Sequence, residues 1–289
     1  MKLVTFAYQS GTHIGALVTH GARNFVLDFQ RTQTELPVDM VQFLRGGEAN
    51  LELAQRAIAE PDERALIAEE DVTLLAPISS PGKLICVGHN YYDHTAGPSD
   101  PDEYPIFFGK FSNTLIGHQQ PIIYPRFPIQ LDYEAELAVV IGKRAQHVNA
   151  EHALEFVAGY TIFNDVTARD YQPRASQWSL RKSFDTFGPM GPALVTTDEI
   201  PDPSNLELKL DVNGVERQHS NTRYLIFSIP FLIEYLTRTM TLEPGDVIST
   251  GTPSGTGQSQ KPPVYMQPGD VVRIQIEKIG ELVNPIAVE

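Results

Sequence analysis

The segment LDYEAELAVVIGK, residues 131–143, sets Glu134 and Glu136 two positions apart at the mouth of an apolar run. Successive side chains of an extended strand alternate faces, so both carboxylates project to one side while Ala135 and Leu137 project to the other. Two acids on one face repel each other and resist desolvation unless a cation sits between them. From this segment alone a solvated outer face and a cation site stand on even terms. The unbroken apolar run 137–141 argues against the solvated face, because it reads as a strand buried on both sides. A third acid, Asp165, closes another strand-like run, GYTIFND. Three oxygen ligands without cysteine or an obligatory histidine suit a hard cation, Mg²⁺, Mn²⁺ or Ca²⁺, better than zinc. Such an ion keeps coordination positions open for water or substrate.

Elements able to position these acids are legible around them. Short strand patterns are KLVTFAY, HIGALVTHG and NFVLDF near the start, then KLICVG, ELAVVIG, GYTIFND, PALVT, LELKLDV and VVRIQI. Asn213-Gly214 signals a two-residue hairpin. Helical patterns are fewer: PVDMVQFLRGG, residues 48–60, AEHALEFVAGY after Asn149, and FSIPFLIEYLTRTM with Ser228 as cap and Pro230 in the first turn. Strands and helices do not alternate regularly, which speaks against a doubly wound parallel sheet. The expected class is α+β and β-rich, with a small N-terminal α+β domain over residues 1–77 and a catalytic domain over 78–289. The whole chain of 289 residues carries 22 Lys and Arg against 36 Asp and Glu, a net charge of −14. That balance, with no basic run, argues against nucleic acid and against a membrane surface. No apolar stretch approaches the roughly 18 to 20 residues needed to span a bilayer, and the N-terminus turns polar too early for a signal peptide. One cysteine, Cys86, excludes an internal disulfide framework. A cytoplasmic location is expected.

Residues 91–105, YYDHTAGPSDPDEYP, hold three prolines, a glycine and four acids, and read as an exposed connector or a lid over a site.

Six segments in order, CVGHNYYDH (86–94), DYEAELAVVIGK (132–143), GYTIFNDVTARDYQ (159–172), KSFDTFGPMGP (182–192), VNGVERQHSNT (212–222) and GDVISTGTPSGTG (245–257), together resemble the fumarylacetoacetate hydrolase family. The likeness runs from about residue 83 to 280; the first 75 or so residues resemble the variable N-terminal domain of bacterial members more loosely. It implies a mixed β-sandwich roll, usually a homodimer. It also implies one Mg²⁺ or Mn²⁺ per subunit on Glu134, Glu136 and Asp165, chelating a 2-oxo acid through its carboxylate and keto oxygens.

The same resemblance gives Lys182 the stabilisation of an enolate or oxyanion. It places Gln172 against substrate, and Arg169 either against substrate or paired with an acid. Thr252 would hold the substrate carboxylate, and His94 would act as general base. His89 sits where the family varies and is read as non-catalytic. Many members carry a glutamate three residues after the histidine that His94 matches; here that position is Gly97. Asp100, Asp102 or Glu103 would have to serve instead, with Glu103 preferred. The leading expectation is hydrolysis of the C–C bond of an acylpyruvate, as in aromatic-ring degradation. The alternative is oxaloacetate decarboxylation, tautomerisation, or isomerisation of unsaturated diacids through the same enolate. A 2-oxo-acid-binding protein without turnover is a third.

Overall fold

Three strands at the start of the chain, Lys2–Tyr8, Gly11–His20 and Arg23–Asp28, pair antiparallel in sequence order. The computed structural model describes residues 1–21, 23–32, 34–93, 104–172 and 176–289. Beyond the third strand come the helices Met40–Arg45, whose first turn is capped by the Asp39 carboxylate accepting from the Gln42 N–H at 2.9 Å, and Gly47–Ala59. These match the two early helical patterns. Their buried Met40, Phe43, Leu44 and Ala54 pack with Leu3, Leu27 and Phe29.

Lys2–Tyr8 also pairs antiparallel with Gly188–Thr196, with Leu3 opposite Leu194. One sheet therefore continues from the N-terminal strands into the rest of the molecule, and the helix-side core includes Ala138, Val140, Phe163 and Val247 from beyond residue 77. From Gly188–Thr196 the order runs Val157–Asn164, Ala135–Ile141, Val247–Ser249, Leu84–Gly88 and Ile106–Lys110. Pairing is mostly antiparallel, but Val247–Ser249 and Leu84–Gly88 are parallel, so the sheet is mixed. A five-stranded sheet built on Glu207–Val212, Val215–Asn221, Val271–Ile276, Gly280–Val288 and Ile122–Tyr124 contributes Leu208, Leu210, Ile274 and Leu282 to a core shared with Leu137, Val139 and Ile162 of the large sheet. The result is the expected β-rich α+β architecture.

Asn213 and Gly214 take φ of 53° and 77° in the hairpin turn, as a two-residue connection of that hand requires. Ser228 caps the helix Ile229–Thr237 by accepting from the Phe231 N–H at 3.4 Å. One expectation is corrected. The helical pattern after Asn149 is a 3-10 segment, Ala150–Phe156, and the chain then enters the strand Val157–Asn164. That strand is clamped between two neighbours, and Gly159 lies so close to one of them that a Cβ would sit 2.1 Å from the Val195 carbonyl oxygen.

Candidate metal centre and active site

The strand Ala135–Ile141 is buried along its whole length, as its uninterrupted apolar run requires. Its antiparallel neighbour sets Ala135 opposite Asn164. That register brings Glu134, just before one strand, beside Asp165, just after the other, and the Asp165 N–H donates to the Glu134 carbonyl at 3.0 Å. Glu136 lies two residues along the same face. Glu134, Glu136 and Asp165 are all buried, and one oxygen from each lies within 4.8 Å of the others. Of the two readings open from the sequence, the solvated face is excluded.

Each acid is held differently. Lys182 bridges Glu134 Oε2 and Asp165 Oδ2, with its Nζ at 2.6 Å from both. Arg169 donates from Nε to Asp132 at 2.8 Å and from its terminal nitrogen to Glu134 Oε1 at 2.5 Å. Lys110, fully buried, donates to Asp165 Oδ1 at 2.7 Å and to the carbonyls of Val166 and Phe187 at 3.2 and 2.7 Å, so its three protons are all used. Among the described residues Glu136 receives only neutral donors, the Ser249 hydroxyl at 2.5 Å and the Gly251 N–H at 3.0 Å, both on Oε2.

Protonation follows this division. Burial presses the Glu134 carboxyl upward, but Lys182 and Arg169 outweigh it and hold it well below the usual carboxylate range. At Glu136 burial, then Asp165 and Glu134, push the carboxyl far up, and the Ser249 hydrogen bond only partly opposes them. Burial also works against the Lys182 ammonium, yet Asp165 and Glu134 raise its pKa, so the group stays charged. At Lys110 burial wins over the attraction of Asp165 and lowers it. With Glu136 ionised, as a metal ligand is, the four acids Asp132, Glu134, Glu136 and Asp165 would face three directly bonded cations among the described residues, Lys110, Arg169 and Lys182, with one negative charge in surplus; without an ion, protonation of Glu136 removes that surplus. A divalent ion reverses that surplus, and the donor set is all hard oxygen; the residues present fit Mg²⁺ or Mn²⁺.

A cavity of about 60 Å³ opens onto the three acids and is also lined by Val87, Gly88, His89, Phe108, Arg169, Trp178, Arg181, Lys182 and Thr252. Arg169, left open between substrate contact and pairing, does pair with acids while bordering the cavity. Thr252 is buried beside it, and its hydroxyl accepts from Gln218 Nε2 at 2.9 Å. Gln172 is exposed, with φ of 48°, and is not among the lining residues. His94 and Glu103, with Gly97, Asp100 and Asp102, lie outside the described residues. His89, read as non-catalytic, borders the cavity with φ of 54° and stands edge-on to Trp178 at 5.3 Å. Lys110, Asp132, Ser249, Trp178 and Arg181 escaped the sequence reading. The signal for Lys110 was a charge closing the apolar strand IFFGK.

The model for the C-terminal region of fumarylacetoacetate (FAA) hydrolase matches residues 83–287. The chain belongs to the fumarylacetoacetate hydrolase family. Within it, the chain is 42% identical to a mitochondrial oxaloacetate tautomerase of Bos taurus over 291 aligned residues, 99% of this chain and 91% of that one. Among solved structures it is similar to a 5-carboxymethyl-2-hydroxymuconate delta-isomerase from Mycobacterium smegmatis, with 36% identity, a TM-score of 0.79 and 100% of both chains covered. It is also similar to a maleylpyruvate hydrolase from Sphingobium sp. SYK-6 in complex with manganese(II) and pyruvate, with 31% identity, a TM-score of 0.83, and 100% of this chain and 99% of that one covered. Among the described residues no helix is long and apolar enough to cross a membrane.

Proposed function

We propose that the protein is a divalent-metal-dependent tautomerase interconverting the enol and keto forms of oxaloacetate, with Glu134, Glu136 and Asp165 holding Mg²⁺ or Mn²⁺. The observation that carries this reading is the 42% identity, across 99% of the chain, to an enzyme named for that reaction. The alternative expected from sequence therefore moves ahead of acylpyruvate hydrolysis. Gly97 supports the same choice: activating water for attack on a carbonyl favours a carboxylate-oriented imidazole, whereas moving one proton between C3 and the 2-oxo oxygen needs a single base.

When bound, the ion would supply Lewis acidity toward the 2-oxo oxygen and an anchor for the neighbouring carboxylate. The remaining work falls to the chain. Lys182, kept protonated by Asp165 and Glu134, sets a positive charge beside the oxygen on which negative charge develops. Arg169 and Lys110 fix Glu134 and Asp165 so that their free lone pairs stay convergent. His94 removes the C3 proton, and a proton is returned to the oxygen. Glu103 as its orienting partner, and Gln172 and Thr252 as substrate contacts, belong to the same proposal. So do a homodimer, which light scattering checks, and a cytoplasmic location, against which the mitochondrial name of the bovine relative stands.

The test follows enol-oxaloacetate absorbance with Mg²⁺. The protein should accelerate its decay, EDTA should abolish the acceleration, and His94→Ala should cut it by about 100-fold or more. Hydrolysis of an acylpyruvate is the second reading, favoured by the likeness to the maleylpyruvate hydrolase. Release of pyruvate from acetylpyruvate, without effect on enol-oxaloacetate, would put it first.

A further inference from the structure

Arg181 differs from the cations that bind the site acids. Lys110, Arg169 and Lys182 each donate to a site acid at 2.8 Å or less. Arg181 lines the same cavity, yet its Nε is buried without a hydrogen-bond partner among the described residues. A buried, unsatisfied donor on a charged group is costly, which calls for a partner from outside the chain. The side chain is nevertheless well placed. Its guanidinium lies over the Trp178 ring, 5.2 Å from the centroid. Trp178 is itself held by Phe108 at 5.5 Å and by His89, and it occupies space left by Gly88, where a Cβ would fall 2.4 Å from the indole. Stacking engages the face of a guanidinium and leaves its N–H edge for a planar anion. Arg181 and Lys182 are adjacent on the short helix Ser179–Lys182 and address different parts of the cavity: Lys182 binds Glu134 and Asp165, Arg181 lies on the aromatic wall.

We propose that Arg181 receives the distal carboxylate of a dicarboxylic 2-oxo acid and so selects dicarboxylates over monocarboxylates at this site. The inference rests on the site being a metal-assisted 2-oxo acid site. Charge supports it. The surplus negative charge of the acids becomes one positive charge with a divalent ion and two with Arg181, which a dianion neutralises and a monoanion does not.

Trp178 is the single tryptophan of the chain, so its emission reports on this wall alone. Malate and lactate both present a 2-hydroxy carboxylate to an ion and differ in the distal carboxylate, and neither can tautomerise. Titrated into the Mg²⁺-loaded protein and followed by Trp178 emission, malate should bind about tenfold or more tighter than lactate. Arg181→Met should bring malate down to the level of lactate with lactate affinity unchanged, and Arg181→Lys should recover part of the preference. Equal binding of both by the wild type, or a malate preference that survives Arg181→Met, overturns the proposal. If Arg181→Met loses lactate as well, Arg181→Lys decides: retained preference supports the assignment and lost preference ends it. Because no turnover is involved, the ratio is readable even if enol-oxaloacetate proves not to be a substrate.

Discussion

Asp28 and the acids of the metal centre are buried to the same depth, but their surroundings differ. Asp28, fully buried at the end of the strand Arg23–Asp28, is one acid with a cation, Arg31, and a histidine beside it. It accepts from the Gln30 N–H at 2.9 Å, with His13 Nδ1 at 3.0 Å and Arg31 Nε at 3.6 Å. At the end of Ala135–Ile141, four acids share three cations, and Glu136 has none of them as a direct partner. Burying a carboxylate is costly unless it is compensated. Asp28 has a cation, Arg31, within ion-pair distance and one backbone hydrogen bond, though its Oδ2 accepts none among the described residues; Glu136 has neutral donors and no cation as a direct partner. The contrast separates a buried acid that maintains a fold from one that awaits a ligand.

The most severe way to break this contrast is Glu136→Gln. Glutamine keeps the shape and resembles the protonated acid that burial and its neighbours favour, so the metal-free protein should melt no lower than wild type. Activity should fall by more than about 100-fold, since even partners one step removed from a metal ligand cost 10 to 100-fold. Mg²⁺ at about a hundred times its Kd should stabilise the wild type by about 2.7 kcal/mol and leave the variant's melting temperature unmoved. An equal Mg²⁺ shift in both proteins would remove Glu136 from the site. Lys110→Met comes next. Without its ammonium Asp165 Oδ1 loses its anchor, and Mg²⁺ affinity measured by calorimetry should drop by about 10 to 100-fold while the chain still folds.

Asp28→Ala should show the reverse pattern. It removes a cap and the acid beside His13 and Arg31, so unfolding in urea should show a loss of about 2 kcal/mol. The rate with enol-oxaloacetate and the Mg²⁺ shift should not change, and a loss of either would mean that the two regions are coupled.

The acids at the centre were readable because strand geometry is periodic: Glu134 and Glu136 share a face by spacing alone, and Asp165 ends a strand whose composition identifies it. What holds them was not readable. Lys110 reaches Asp165 across 55 residues and Ser249 reaches Glu136 across 113. A lone lysine or serine carries no signal until the sheet order Val157–Asn164, Ala135–Ile141, Val247–Ser249 brings the segments together. The same applies at residue 77. Pro77 punctuates the chain visibly, but the pairing of Leu3 with Leu194 is a contact between distant segments that no local pattern encodes. Helical spacing also misled after Asn149, where the pattern yields only a 3-10 segment, Ala150–Phe156, and its last residues belong to the strand Val157–Asn164.

His118 offers the mildest test, in a third region where the N-terminal segment meets the five-stranded sheet. It lines a groove with Glu69, Glu70, Leu74 and Gln119, and its Nδ1 accepts from the Val283 N–H at 3.2 Å, which requires that nitrogen to be unprotonated. Burial lowers its pKa below the ordinary 6.5, with Glu69 and Glu281 opposing in part. The sign follows from linkage. Above the unfolded-state value both states are neutral and the contribution to stability is complete. As pH falls below it, the unfolded chain takes up a proton that the folded chain resists, and stability is lost until the folded value is passed. Thermal unfolding of the wild type at pH 7.5 and 5 should therefore show a larger drop than His118→Gln, which accepts the same hydrogen bond and does not titrate. If His118→Gln keeps the full wild-type slope, the acid sensitivity arises at other groups, and the junction contributes nothing to it.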